Sequence, residues 1–259
     1  MISKLYSILN DIKNEDAHIN NHFDLDKWAR YFAIIDLTGA YHGSLVKSVK
    51  SYYNPTTALF EPIGYDLHKG AGEFSDFILL DFLQENKPNC IYLCDHKDWY
   101  LKFFLDKDKN LNYSFLNLYI NYLKEFSEKE FLEKFIDSHK DELSRYNKEI
   151  YKDNSKTDKI TRSGIGYFIF DDKYLYNRSK LLKEKISSTN IDGVTISKIG
   201  NNLKYEDYGD TKFPLIAKIL DCEIKNDKEF FLAGKINIDI DPSCKKIKIE
   251  DHIGNLRII

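Results

Sequence analysis

Long apolar runs are missing from this 259-residue chain. No stretch of about 18 apolar residues occurs anywhere, which excludes a helical membrane span. The N-terminal "MISKLYSILNDIKNEDAH" is interrupted by charges and Asn too soon to hold a signal-peptide core. A cytoplasmic location is therefore expected. An excess of basic charge is missing too: 38 Lys and Arg face 41 Asp and Glu, for a net charge of −3. That leaves no electrostatic footprint for nucleic acid. Methionine (1) and tryptophan (2) are scarce, while Tyr (18) and Phe (17) are abundant; this bias follows nucleotide composition as readily as physics, and no function is drawn from it. Cysteines are few, at 90, 94, 222 and 244. Cys90 and Cys94 lie close to His96, but Cys222 and Cys244 supply no second knuckle of the kind a structural zinc site uses. Ordinary buried thiols are the expectation. Internal repeats and low-complexity linkers are also absent.

What is present fits a folded globular protein, with 42% apolar and 31% charged residues. The expected class is α+β: a helix-rich part with a β-hairpin over 1–190, then a small antiparallel β module over 191–259. In "DLDKWARYFAIIDLTG" the residues Trp28, Tyr31, Phe32 and Ile35 recur at helical spacing. Asp24 or Asp26 is its N-cap and Gly39 its stop. "GAYHGSLVKSVKSYYNP" reads as a loop entering a strand, and "TTALFEPIGYD" as a second strand, joined through the Asn54-Pro55 turn signal into a hairpin over 49–66. "FSDFILLDFLQEN" reads as a short helix, and "CIYLC" as either a strand or a buried helix start. Helices follow from Asn112 to about Asp153, with Ser127 and Glu130 at capping-box spacing, and again in "NRSKLLKEKISS". From 191 on, short alternating runs between turn residues predict a sandwich-like module.

The residue that raises a chemical question is Asp66, just past "LFEPIGY" with Gly64 before it and Gly70 and Gly72 after it. An acid at a strand end, where backbone approaches a ligand closely, is suited to hold a metal ion. The same residue equally serves as a turn cap. Mg²⁺ needs only one or two carboxylates, because phosphates and water complete its shell. Other motifs carry less. Gly164 and Gly166 in "TRSGIGYFIF" are too few for a dinucleotide fingerprint. Asp239 and Asp241 in "DIDPS" lack the Gly and distal Glu of a calcium loop. His96 and Asp98 form a polar corner.

The segment "DLDKWARYFAIIDLTGAYHG…SYYNPTTALFEPIGYDLH" resembles the core of the CotH-like family, the spore-coat-protein-H type of atypical kinase. The likeness runs over roughly residues 24–186, and "YYNPTTALFEPIGYD" is its specific part, closest to a branch found in large bacterial envelope or polysaccharide-linked proteins. It implies a protein-kinase-like C-terminal lobe that uses ATP and Mg²⁺ to phosphorylate a protein or other hydroxyl. Asp66 matches the family's metal-binding acid. His42 stands where the typical family loop has its catalytic Asp. It is read either as a general base or as a structural hydrogen-bonder beneath the hairpin. Lys47 and Ser48 stand where the branch has His-Asn, as cofactor-side residues, and Ser48 is a poorer metal ligand than Asn. His68 replaces a second Asp. The 23 residues ahead of the "DLDKWARY" helix contain no glycine, so the glycine-rich loop and strand lysine of a kinase N-lobe are expected from a separately encoded partner, if at all. The alternatives are a non-catalytic pseudokinase and an envelope-associated module binding a protein or glycan through 191–259.

Overall fold

The structure is a computed structural model, and it describes residues 6, 10, 19–68, 76–83, 91–154, 172–187, 194–207, 214–220, 229–232, 235–252 and 255–258. The chain is mixed α+β. Helix α1 (Leu25–Thr38) starts where Asp24 accepts the Lys27 amide and ends at Gly39, which has φ +63°. A Cβ at Gly39 would run into the Tyr174 hydroxyl, so the left-handed stop is reserved for glycine twice over. Its apolar stripe buries Trp28, Tyr31, Phe32 and Ile35, as the spacing predicts. Strands β1 (Lys50–Asn54) and β2 (Leu59–Ile63) form the expected antiparallel hairpin, with Asn54 opposite Leu59 and Lys50 opposite Ile63.

Helices α2 (Lys97–Phe104), α3 (Tyr113–Ser127), α4 (Lys129–Asn154) and α5 (Asp172–Ser187) complete the helical part. Helix α3 packs along α1, and α5 lies across both. Phe23, Trp28, Phe32, Phe103, Phe104 and Phe115 meet edge to face or tilted in one aromatic core. One local expectation is corrected: Ser127 does not open α4 as a capping box; it is buried as the last residue of α3, and its hydroxyl donates back to the Lys124 carbonyl at 2.8 Å. The short helix expected in "FSDFILLDFLQEN" is a 3₁₀ helix, Leu79–Leu83, and "CIYLC" falls on a second, Ile91–His96, that runs straight into α2 at Lys97, so the helix-start reading holds there.

Among the described residues of the C-terminal part there are seven strands: β3 (Val194–Ile199), β4 (Asn202–Asp207), β5 (Leu215–Leu220), β6 (Glu229–Leu232), β7 (Lys235–Asp239), β8 (Lys246–Glu250) and β9 (Leu256–Ile258). They pair antiparallel in two sheets, β3-β4-β7 and β6-β5-β8-β9. Their inward residues, among them Ile196, Leu203, Tyr205, Ala217, Ile247 and Ile249, form a core separate from that of the helices. Among the described residues a seam joins the two cores: Phe231 of β6 belongs to the helical cluster, its ring lies 5.1 Å from that of Tyr113 with the planes tilted by 35°, and the Tyr113 hydroxyl donates to Glu229.

The thiol expectation is overturned at both described cysteines: Cys94 and Cys244 are disulfide-bonded. Asp241 accepts from the Ser243 amide at 2.8 Å and hydroxyl at 2.7 Å, which makes it a turn residue. The Gly164–Gly166 motif lies outside the described residues. No described helix is long and apolar enough to cross a membrane.

Candidate functional site

Beyond Gly39 the chain makes a 3₁₀ turn, Tyr41–Ser44, that carries His42. Three anchors fix this turn. The Tyr31 hydroxyl donates to the Gly43 carbonyl at 2.9 Å, and burial pushes that phenol up to about 12, so it stays a neutral donor. The Ser44 hydroxyl lies 2.8 Å from the Tyr41 carbonyl and 2.9 Å from the Tyr100 hydroxyl. Tyr41 itself reaches inward to Asp36 Oδ1 at 2.8 Å.

The other half of the site arrives on the hairpin. Trp28 of α1 donates its indole N–H to the Phe60 carbonyl at 2.9 Å. The Asp24 amide also donates to Phe60, at 3.0 Å, and the Phe60 amide donates to His22 at 2.7 Å. Strand β2 is thereby stitched to the start of α1, and the chain leaving it comes back over the His42 turn. Glycine is required where the two meet, since a Cβ at Gly43 would lie 2.5 Å from both the Tyr65 carbonyl oxygen and Leu67 Cδ2. Backbone cannot yield there as a flexible side chain would. Gly43→Ala is expected to lower the urea midpoint by an amount equivalent to about 1–3 kcal/mol, the usual cost of overpacking. An unchanged midpoint would show that the turn and the 65–67 segment are not pressed together.

Asp66 has φ +53°, in the left-handed region that Asp tolerates better than most residues. That backbone aims its carboxylate at the turn. His42 Nδ1 lies 2.9 Å from Asp66 Oδ2, and His68 Nε2 lies 4.0 Å from Asp66 Oδ1. The two imidazoles stack at 4.2 Å with 26° between their planes. The short His42–Asp66 approach is not an aligned hydrogen bond: Nδ1 is a buried nitrogen with no bonding partner in line. Burial, and next the neighbouring His42, hold His68 below its ordinary value, against the opposing pull of Asp66. One ligand atom from each of His42, Asp66 and His68 lies within 4.8 Å of the others.

The four residues expected to share a site therefore part company. His42 and Asp66 meet. Lys47 is exposed, and its charge acts on His96, helping to hold that imidazole below its ordinary value after the larger effect of burial. Ser48 is buried, with its amide donating to the Leu45 carbonyl at 2.8 Å, and no ligating contact joins it to the pair. His68 joins instead. The sequence shows it only as a departure from a family pattern; its signal was an imidazole two residues past a strand-end acid.

A second buried cluster supports the first from beneath. Asp36, fully buried on α1, accepts from the Tyr41 and Tyr119 hydroxyls and from the Leu79 amide at 3.0 Å. Burial raises its carboxyl to about 6, although Tyr119, Arg178, Tyr41 and Leu79 all pull it down. Arg178 of α5, itself 2% exposed, donates to the Asp36 carbonyl, the Tyr41 hydroxyl and the Phe77 carbonyl, each at 2.9 Å. This cluster is a clamp that ties α1, α3, α5 and the Tyr41 turn together. Compared with family models, curated proteins and solved structures, the chain matches none.

Proposed function

We propose that this chain is a CotH-like, kinase-fold protein in which the site built around Asp66 no longer serves ATP and Mg²⁺: a pseudokinase. The observation that supports this reading is the His42–Asp66 contact at 2.9 Å with His68 beside it. Resemblance sets a metal-binding acid and a catalytic-base position in the same neighbourhood, and here the two side chains meet. The donor set, however, does not fit magnesium, which takes oxygen ligands in a near-octahedral shell. Two imidazoles accompany the one carboxylate, a donor set of two nitrogens against one oxygen. No phosphoryl-transfer step is derived from such a site, because positioning supplies most of that catalysis.

A thermal-shift titration with ATP and Mg²⁺ tests the reading. Ligand at about 100 times its Kd adds about 2.7 kcal/mol and would raise Tm by several degrees. No rise is expected. A rise that Asp66→Ala abolishes would restore a phosphotransferase, with His42 as its base and a separately encoded N-lobe as a further requirement.

On this reading the β module is the working surface, for a protein or glycan partner. Its support is a core of its own and the edge strand β9, where Leu256 and Ile258 are exposed. Such an edge accepts an added strand. The disulfides at Cys94 and Cys244 speak for an oxidising compartment over the cytoplasm, since reduced thiols are the cytosolic rule.

A further inference from the structure

We propose that His42, Asp66 and His68 form a binding site for a divalent ion of the zinc class. The inference rests on the same cluster as the pseudokinase reading, but on its donor chemistry and not on the resemblance. Two imidazole nitrogens and one carboxylate oxygen are the ligand types that zinc and its first-row neighbours take, and three protein donors leave positions open for water or a small anion.

The geometry is close to closing. Zinc sits about 2.0–2.2 Å from nitrogen and oxygen donors, so a tetrahedral trio has its ligand atoms roughly 3.3 Å apart. The trio here spans no more than 4.8 Å, and its nearest pair is already at 2.9 Å. Opening the near pair by a few tenths of an ångström and drawing the widest in by up to about 1.5 Å is rotamer adjustment, since Asp66 and His68 sit on the surface segment past β2 and their side chains remain 41% and 22% exposed. That exposure also gives an ion a route from solvent.

Two features set the cluster apart from a chance meeting of polar side chains. His42 Nδ1 is buried with no hydrogen bond in line, although a carboxylate oxygen lies within 2.9 Å. A buried nitrogen beside a carboxylate but out of line with it has bonding capacity that a third body can take up. The backbone is also committed to the meeting. Asp66 adopts φ +53°, and Gly43 supplies the one contact surface that lets the 65–67 segment seat against the His42 turn. Stacked imidazoles are ordinary ring neighbours, yet a shared ion would turn the same rings about their Cβ bonds and keep both in place.

The test is Zn²⁺ competition against a chromophoric chelator, on the full chain without a histidine tag, with MgCl₂ and ATP–Mg²⁺ run as separate arms. One zinc per chain is expected. Asp66→Ala and His68→Ala should each weaken it by at least tenfold, and His139→Ala, on the exposed face of α4, should leave it unchanged. Circular dichroism checks each variant's fold. His68→Ala decides the matter if His42→Ala fails to fold, because His68 lies outside the anchored turn. Zinc affinity that survives both Asp66→Ala and His68→Ala, or no zinc binding at all, overturns the site. Displacement of zinc by equimolar Mg²⁺ overturns the assignment of ion class. ATP–Mg²⁺ binding with intact zinc binding would instead overturn the pseudokinase reading and leave the metal site standing.

Discussion

Asp36→Ala is expected to leave the protein largely unfolded at 37 °C, with a loss of about 3–5 kcal/mol, the cost of removing one member of a buried charged network. The total stability of a domain is about 5–15 kcal/mol, so the change consumes a large share of it. Deletion strands two donors, the Tyr119 hydroxyl and the Leu79 amide, and leaves the Tyr41 hydroxyl with the Phe77 carbonyl as its acceptor. It also takes negative charge away from Arg178, which remains buried. Urea midpoints of the variant and the parent measure the effect, and a loss below about 1 kcal/mol would mean that the network is not what joins α1, α3 and α5. The pH dependence gives a second reading of the same group. The carboxyl is raised to about 6 in the fold from an ordinary value near 3.8. Between those values the folded chain holds a proton that the unfolded chain has given up. The stabilising contribution of the protonated form is thus complete below the unfolded value and drains away as pH rises through about 6. Asp36→Asn cannot titrate, so the stability of the parent relative to the variant should fall as pH rises from 3.8 through about 6, a difference in which the other ionising groups cancel.

Trp28→Ala is expected to cost a similar amount, about 3–5 kcal/mol for emptying a fully buried large aromatic site, and to do something Asp36→Ala does not. The indole is one of two donors, with the Asp24 amide, that hold the Phe60 carbonyl at the start of α1. Removing it loosens the seat of β2, and β2 carries the segment that delivers Asp66 and His68. Trp28→Phe separates the two roles: most of the volume stays, while the hydrogen bond worth about 1 kcal/mol is lost. In that variant the helical signal should persist and zinc affinity should fall, because the hairpin is seated less firmly. Equal zinc affinity in Trp28→Phe and the parent would show that the hairpin holds its place without the indole.

How much of this was legible depends on whether the information is local. Helix α1 was, because Trp28, Tyr31, Phe32 and Ile35 repeat at one helical period between a capping Asp24 and a stopping Gly39. The hairpin was, because Asn54-Pro55 marks its turn and the flanking runs can only pair with each other. The pairing of His42 with Asp66, like the roles given to Lys47 and Ser48, came from a resemblance and not from spacing; the structure leaves Lys47 exposed and Ser48 buried. Asp36 was visible as an acid inside an apolar helix face, in "AIIDLTG", but nothing nearby names its partner. Arg178 lies 142 positions away, and only packing of α5 across α1 brings them together. The cysteines illustrate the same limit, since spacing reports neither redox state nor partner.

The most direct measurement of the central claim is an anomalous-scattering map from crystals of the full chain grown with zinc. The account predicts one strong peak within bonding distance, about 2.0–2.2 Å, of an imidazole nitrogen from each of His42 and His68 and a carboxylate oxygen of Asp66. A map in which zinc ignores these three residues, or in which Asp66 holds magnesium and nucleotide while the imidazoles stand aside, would contradict it.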